Sequence, residues 1–405
     1  MFRDRTLLAL VGARFVSLTG TNMTVVALPW FVLATTGSTA RMGVVLACQM
    51  LPAVVLGLPA GGVVAALGAR RALVLGDSVR APLLVAVPAL HWAGLLPFPV
   101  LLALVTAIGV FSVPYAAAAS ALLPDVVGED EAEVARATAA LQVAIQTTGV
   151  LGPAAAGLLI PLLGAPNLLL FDGASYAISA AIVAGLVQVG RARSRAERTR
   201  GRLLVGVRHL RRDSLLTSIV AVAFIAHVGL AALFASLPAL AFRSFHDART
   251  AGVLFTADAV GSVLGGLAAL WLARRVKPLR LGLLGFVLMS APLWLLTVGA
   301  SLPVALAAMF CFGIGGPLSV SPVTAVLTTR APAAIRAQVI SAFLAITTAG
   351  MPVGSAGAGF AIGRVGFAPT YVGIAAAMTL ATVLLAVFVH LDEAPEALAA
   401  ATSPS

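Results

Sequence analysis

The chain has 405 residues, 60% of them apolar and 10% charged, with a net charge of +11 and a mean hydropathy of +1.05. A water-soluble protein of that length needs a polar shell that this composition cannot supply, which excludes a soluble globular domain. The two cysteines, Cys48 and Cys311, sit inside apolar runs and read as neither a disulfide framework nor a metal site.

A helix needs about 20 mostly apolar residues to cross a bilayer. Twelve such stretches follow one another, at 6–34, 41–67, 72–92, 98–122, 133–161, 167–189, 214–241, 250–273, 279–299, 302–328, 336–362 and 367–390. Helices satisfy every backbone polar group inside lipid, and continuous apolar runs do not match the alternating strands of a barrel. The expected fold is an all-α membrane protein with twelve transmembrane helices in two pseudo-symmetric six-helix bundles. Met1–Arg5 imitates the start of a secretory signal, but the apolar run reaches Leu33 and reads as an uncleaved first span. The connection Arg191–Arg212 carries nine arginines against Glu197 alone. It reads as a basic linker between halves 1–190 and 213–392, locking topology and touching anionic headgroups. Residues 393–405 read as a disordered tail.

With the N-terminus in the cytoplasm, twenty of the 26 basic residues fall on the cytoplasmic side. Arg41, Arg243, Arg249 and Arg364 fall outside, and Arg14 and Arg80 lie within or at the edge of spans, the asymmetry of positive-inside topology. The basic charge therefore belongs to insertion and not to nucleic acid. The expected location is the cell membrane, multi-pass, with both termini cytoplasmic.

Polar residues inside the spans are the candidate functional groups, in chain order. Arg14 and Asn22 share a face of the first span, with Arg14 close enough to the cytoplasmic end to snorkel. Asp77 and Arg80 read as a local ion pair steadying the loop that holds Arg70 and Arg71. Gln142 and Gln146 lead, one helical turn apart, into Gly149, Gly152, Pro153 and Gly157. Those glycines let another helix approach closely, and Pro153 bends its own helix. A rocking surface and ordinary tight packing both fit them. Asp172 reads as a cap or anchor, and His227 as a packing residue or a proton relay. Trp30, Trp92 and Trp294 lie towards the outer interface.

Asp258 is the sharpest single residue. It sits about nine residues into its span, roughly 13 Å deep at 1.5 Å per residue. A charge there costs about 2.5–3.5 kcal/mol, so the position calls for a partner, a wet cavity or a protonation role. A proton carrier, and a structural ion pair or hydrogen bond to another helix, are the two readings.

An internal repeat divides the chain. "VLGPAAAGLLIPLLG" at 150–164 returns as "PVGSAGAGFAIGRVG" at 352–366, matching Gly152, Gly157 and Gly164 to Gly354, Gly359 and Gly366. "IGVFSVP" at 108–114 echoes "IGGPLSVSP" at 314–322. Parallel six-helix repeats and chance likeness among Ala/Gly-rich helices are the alternatives.

On three places the chain resembles the major facilitator superfamily, in its twelve-helix bacterial drug- and metabolite-exporting branch. "GGVVAALGARRALVLGDSVRA" (61–81) is similar to the family's loop motif, with Gly61, Gly68, Arg70 and Arg71 in place and Ala65 and Ala66 where its Asp and Arg stand. "GVLGPAAAG" (149–157) is similar to the antiporter motif, and "SLTGTNMTVVALPWFVLATTGS" (17–38) to the exporters' first helix, with Asn22 at an often acidic position. The resemblance implies that the fifth and eighth spans meet near a central cavity, placing Gln142 and Gln146 opposite Asp258.

No phosphate-binding loop, metal-ligand cluster or nucleophile–base pair stands out, so an enzyme is not expected and no cofactor is required. The expected function is secondary active transport: proton-coupled efflux of small hydrophobic or amphiphilic compounds by a monomer in the lipid bilayer, with Asp258 as coupling group. A metabolite importer of the same fold and a non-transporting membrane sensor are the alternatives.

Overall fold

In the computed structural model, residues 5–57, 59–127, 130–187, 203–298, 301–332 and 335–402 are described. No strand occurs among them. Among the described residues twelve helical segments are long and apolar enough to cross a membrane, which agrees with the expected spans.

The first helices are α1 (Arg5–Thr36), α2 (Thr39–Leu56) and α3 (Ala60–Leu67). The second expected span is thus broken at Gly57–Pro59, because Pro59 has no N–H to continue the ladder. Gly68, at φ +82°, then turns the chain into α4 (Ala69–Trp92). A side chain at that φ would be strained. Next come α5 (Phe98–Val127), α6 (Glu131–Leu163) and α7 (Ala165–Leu186). Asp130 caps α6, accepting from the amides of Ala132 at 2.9 Å and Glu133 at 3.0 Å.

The central connection is not wholly irregular. Its residues 191–202 lie outside the described part, but Leu203–Arg212 forms an amphipathic helix, α8. Val207 and Leu210 face the apolar cluster of Leu216, Val339 and Phe343, while Arg208, Arg211 and Arg212 are exposed. The arginine-rich composition hid this apolar stripe.

The later helices are α9 (Ser214–Leu240), α10 (Ala248–Leu272), α11 (Pro278–Ser290), α12 (Leu302–Arg330), α13 (Arg336–Thr348), α14 (Gly350–Val365) and α15 (Phe367–Thr402). A π turn, Ala241–Phe245, extends α9, and a tight 3₁₀ stretch, Ala291–Val298, extends α11 where Pro292 removes a donor. The helix α15 runs into the segment read as a disordered tail, where the alanines and Leu398 favour helix.

Two compact units emerge. One gathers Met1–Arg200 with Phe234–Thr256 and Ser355–Gly363; the other gathers Gly201–Leu233, Ala257–Gly354 and Arg364–Ser405. The first unit therefore takes in short pieces of α9, α10 and α14 from the second half of the chain. Backbone-close glycine contacts hold the α10 and α14 pieces, as described below.

Candidate functional site

In the second unit α10 and α12 cross with their backbones touching. A Cβ on Gly313 would strike the Asp258 carbonyl, and a Cβ on Gly265 would come within 2.8 Å of the Ile314 Cα. Ser262 Oγ donates to the Gly313 carbonyl at 3.3 Å. This small-residue seam, which includes Gly261, fixes the backbone beside Asp258. The Asp258 side chain is half-buried near the middle of α10 and has no hydrogen bond or ion pair among the described residues. Of the two readings of Asp258, the structural ion pair finds no support.

In the first unit a charged cluster is buried among α1, α4, α5 and α7. Arg80 pairs with Asp77 and donates to Ser112 Oγ at 3.4 Å. Its guanidinium lies between the rings of Tyr115, at 4.0 Å, and Tyr176, at 4.3 Å. The pair was expected at the loop. Arg80 is 4% exposed and Asp77 0%, so it is sealed by neighbouring helices, and Arg70 and Arg71 stand apart from it. Asp172 is likewise no cap: it is 0% exposed and accepts from Thr24 Oγ1 at 2.6 Å and Ser175 Oγ at 3.2 Å. Tyr176 and Thr21 bond through their hydroxyls at 3.0 Å. Arg14 does not snorkel. It turns inward, with its guanidinium 5.2 Å from the centre of the Tyr115 ring. Tyr115, Tyr176 and Thr24 escaped the sequence reading. The available signal was rarity, because the chain has three tyrosines and two of them clasp one arginine.

The glycines of the repeat work in matched pairs. Gly152 abuts Asn22 of α1, and its counterpart Gly354 abuts Val228 of α9. A Cβ on Gly157 would approach the Gly252 Cα to 2.9 Å, and one on Gly359 the Gly43 Cα to 2.8 Å. Gly164 and Gly366 begin the next helices at φ +84° and +86°. Chance likeness does not explain three aligned glycines with three matched duties. The Gly157–Gly252 and Gly43–Gly359 contacts both lie in the first unit, near the ends of the helices that the basic connections avoid. There Arg243 also donates to the Gly37 carbonyl at 3.2 Å, and Trp30 meets Phe242 edge to face.

The remaining candidates separate. Asn22 donates to Thr148 Oγ1 at 3.2 Å, tying α1 to α6. Gln142 and Gln146 are exposed on α6, and Gly149 faces open space. His227 Nδ1 bonds its own helix at the Ala223 carbonyl, 2.7 Å away, as a packing histidine does. In the loop motif Gly61 is open and Arg71 exposed. Arg70 reaches the Val183 and Ala184 carbonyls at the end of α7. A cation at a helix C-terminus is worth about 0.3–1 kcal/mol. Arg70→Gln is accordingly expected to lower the thermal unfolding midpoint slightly, and Arg71→Gln to leave it unchanged. Equal midpoints for the two variants in a detergent melt would count against the tether. Trp294 Nε1 donates to Thr379 Oγ1 at 3.0 Å, and Trp92 is exposed.

Twelve apolar helices, a glycine-matched repeat and a few charged residues buried within the spans fit a polytopic membrane transporter. A model of the Major Facilitator Superfamily matches residues 10–248 and 219–404, and the chain belongs to that superfamily. It is similar to the multidrug efflux pump Tap of Mycobacterium bovis and of Mycobacterium tuberculosis, 24% identical over 410 residues covering 95% of this chain and 94% of the relative. The pump of the same name from Mycolicibacterium fortuitum is 24% identical over 402 residues, 96% of each chain. Among solved structures, the nucleoside transporter NupG superposes with a TM-score of 0.80 at 13% identity, covering 94% of this chain and 98% of that one. A POT family transporter in complex with a thioalcohol-conjugated peptide gives 0.74 at 13% identity, covering 97% and 96%. At such identity these two structures speak for the fold alone.

Proposed function

We propose that this transporter exports small hydrophobic or amphiphilic compounds in exchange for protons, working as a monomer in the cell membrane with both termini in the cytoplasm. The observation that carries this reading is Asp258, a half-buried carboxyl without a partner among the described residues, near the middle of a membrane-spanning helix. Such a group is costly as a fixed charge in lipid and useful as a site that gains and loses a proton. The full-length likeness to multidrug efflux pumps supports the direction of transport and the class of cargo. Exposed Gln142 and Gln146 are assigned to the cargo path. Alternating access follows from halves 1–190 and 213–392 rocking against one another.

The experiment is Asp258→Asn in proteoliposomes with an imposed proton gradient and a fluorescent lipophilic cation as cargo. Asparagine keeps the shape and the hydrogen-bonding capacity but cannot ionise. Gradient-driven accumulation is expected to fall by at least about tenfold, equivalent to about 1.4 kcal/mol, while downhill exchange continues. Uphill transport that survives at the wild-type rate would move the coupling role to another residue.

A further inference from the structure

The cluster around Arg80 holds two carboxyl groups against one buried cation. Asp77 and Asp172 are each 0% exposed and Arg80 is 4% exposed. The polar and charged groups facing them are Arg14, Thr21 and Thr24 on α1, Ser112 and Tyr115 on α5, and Ser175, Tyr176 and Ser179 on α7. Arg14 meets the Tyr115 ring and forms no ion pair with either acid. With both carboxyls ionised, one of them would be a buried charge without an ion-pair partner, because Arg80 pairs with Asp77 and Arg14, half-buried against the Tyr115 ring, reaches neither acid. An unpaired buried charge is among the most destabilising features a protein can hold. One proton removes that unpaired charge.

We propose that this cluster is a second proton-binding site, separate from Asp258, in which Asp77 and Asp172 share a single proton through Arg80. In the arrangement seen, Arg80 pairs with Asp77, and Asp172, which has hydroxyl partners only, holds the proton. The alternative arrangement passes Arg80 to Asp172 and the proton to Asp77. Two features suit that exchange. The guanidinium is clasped between two aromatic faces, which attract its charge without fixing its direction within the plane. Among the described residues Asp77 Oδ2 and Ser179 Oγ are buried and neither makes a hydrogen bond of good geometry, although Ser179 and Tyr115 lie beside the carboxyl, so the oxygen that would receive the proton has hydroxyl neighbours but no fixed donor. Because Asp77 lies on α4 and Asp172 on α7, the exchange moves the ion pair from one helix to another.

The test is infrared difference spectroscopy on purified full-length protein near neutral pH, reading the C=O stretch of protonated carboxyl groups. The band that survives in Asp258→Asn belongs to this cluster, which keeps the outcome independent of Asp258's own role. Charge balance predicts that Asp172→Asn abolishes that band. Asp77→Asn is also expected to abolish it, because Arg80 then needs Asp172 ionised. Arg80→Gln is expected to double it, since both acids must then be neutral. Thr24→Val alters no charge and removes one hydroxyl from Asp172, so it shifts the band to higher frequency. This variant also serves if the charge variants do not fold. Full band intensity in Asp77→Asn, or an unmoved band in Thr24→Val, would overturn the proposal.

Discussion

Gly157→Leu is expected to cut uphill transport by about tenfold or more, while the protein still reaches the membrane. Where the Gly157 and Gly252 backbones touch, even a Cβ would come within 2.9 Å of a Cα, so a leucine side chain must force α6 and α10 apart. Overpacking of this kind costs about 1–3 kcal/mol. Charged against one of two states in balance, that is about one to two powers of ten in their ratio. The contact is made in the state seen here, so the substitution penalises this state and favours the one in which these ends separate. A thiol on Thr39, 1% exposed and packed against Gly359 and Gly363 in the matched contact, reports the shift. In a background lacking Cys48 and Cys311, Thr39→Cys is expected to label slowly, and adding Gly157→Leu to speed labelling. Gly149→Ala, which meets open space, is the matched control. Unchanged labelling and transport in Gly157→Leu would remove the contact from the transport cycle.

The second large effect concerns folding. Gly313→Val is expected to lower thermal stability by about 1–3 kcal/mol, or to prevent accumulation of folded protein. Its Cβ would run into the Asp258 carbonyl, and backbone cannot rotate away as a side chain can. Gly316→Ala, three residues on and facing open space, is expected to be neutral or slightly stabilising through helix propensity. Size-exclusion profiles and melts in one detergent compare the pair. If the two behaved alike, the close seam between α10 and α12 would be wrong. Asp258 transport measurements need this seam intact, so the order of experiments matters.

Much of the membrane architecture was readable because lipid imposes one rule, that backbone polar groups be satisfied within the helix. The spans followed from apolar length, and the repeat from glycines that recur at matched positions. Interior polar residues were harder. Asp77 and Arg80 were seen as a pair from their spacing, but spacing within a helix says nothing about what closes over it. The position of Asp172 suits a cap at a helix end, whereas its neighbours Thr24 and Ser175 enclose it. Arg14 illustrates the same limit. Its distance from the helix end allowed snorkelling, and a tyrosine on another helix drew it inward.

Apolar length and arginine placement are local or additive properties, so the amino-acid sequence alone settled the solvent, the helical class and the number of crossings. Which glycine meets which backbone, and which buried acid shares which cation, depends on helices far apart in the chain coming into register. Only the tertiary structure decided those, because a contact between Gly157 and Gly252 or between Thr24 and Asp172 leaves no mark on either segment read alone.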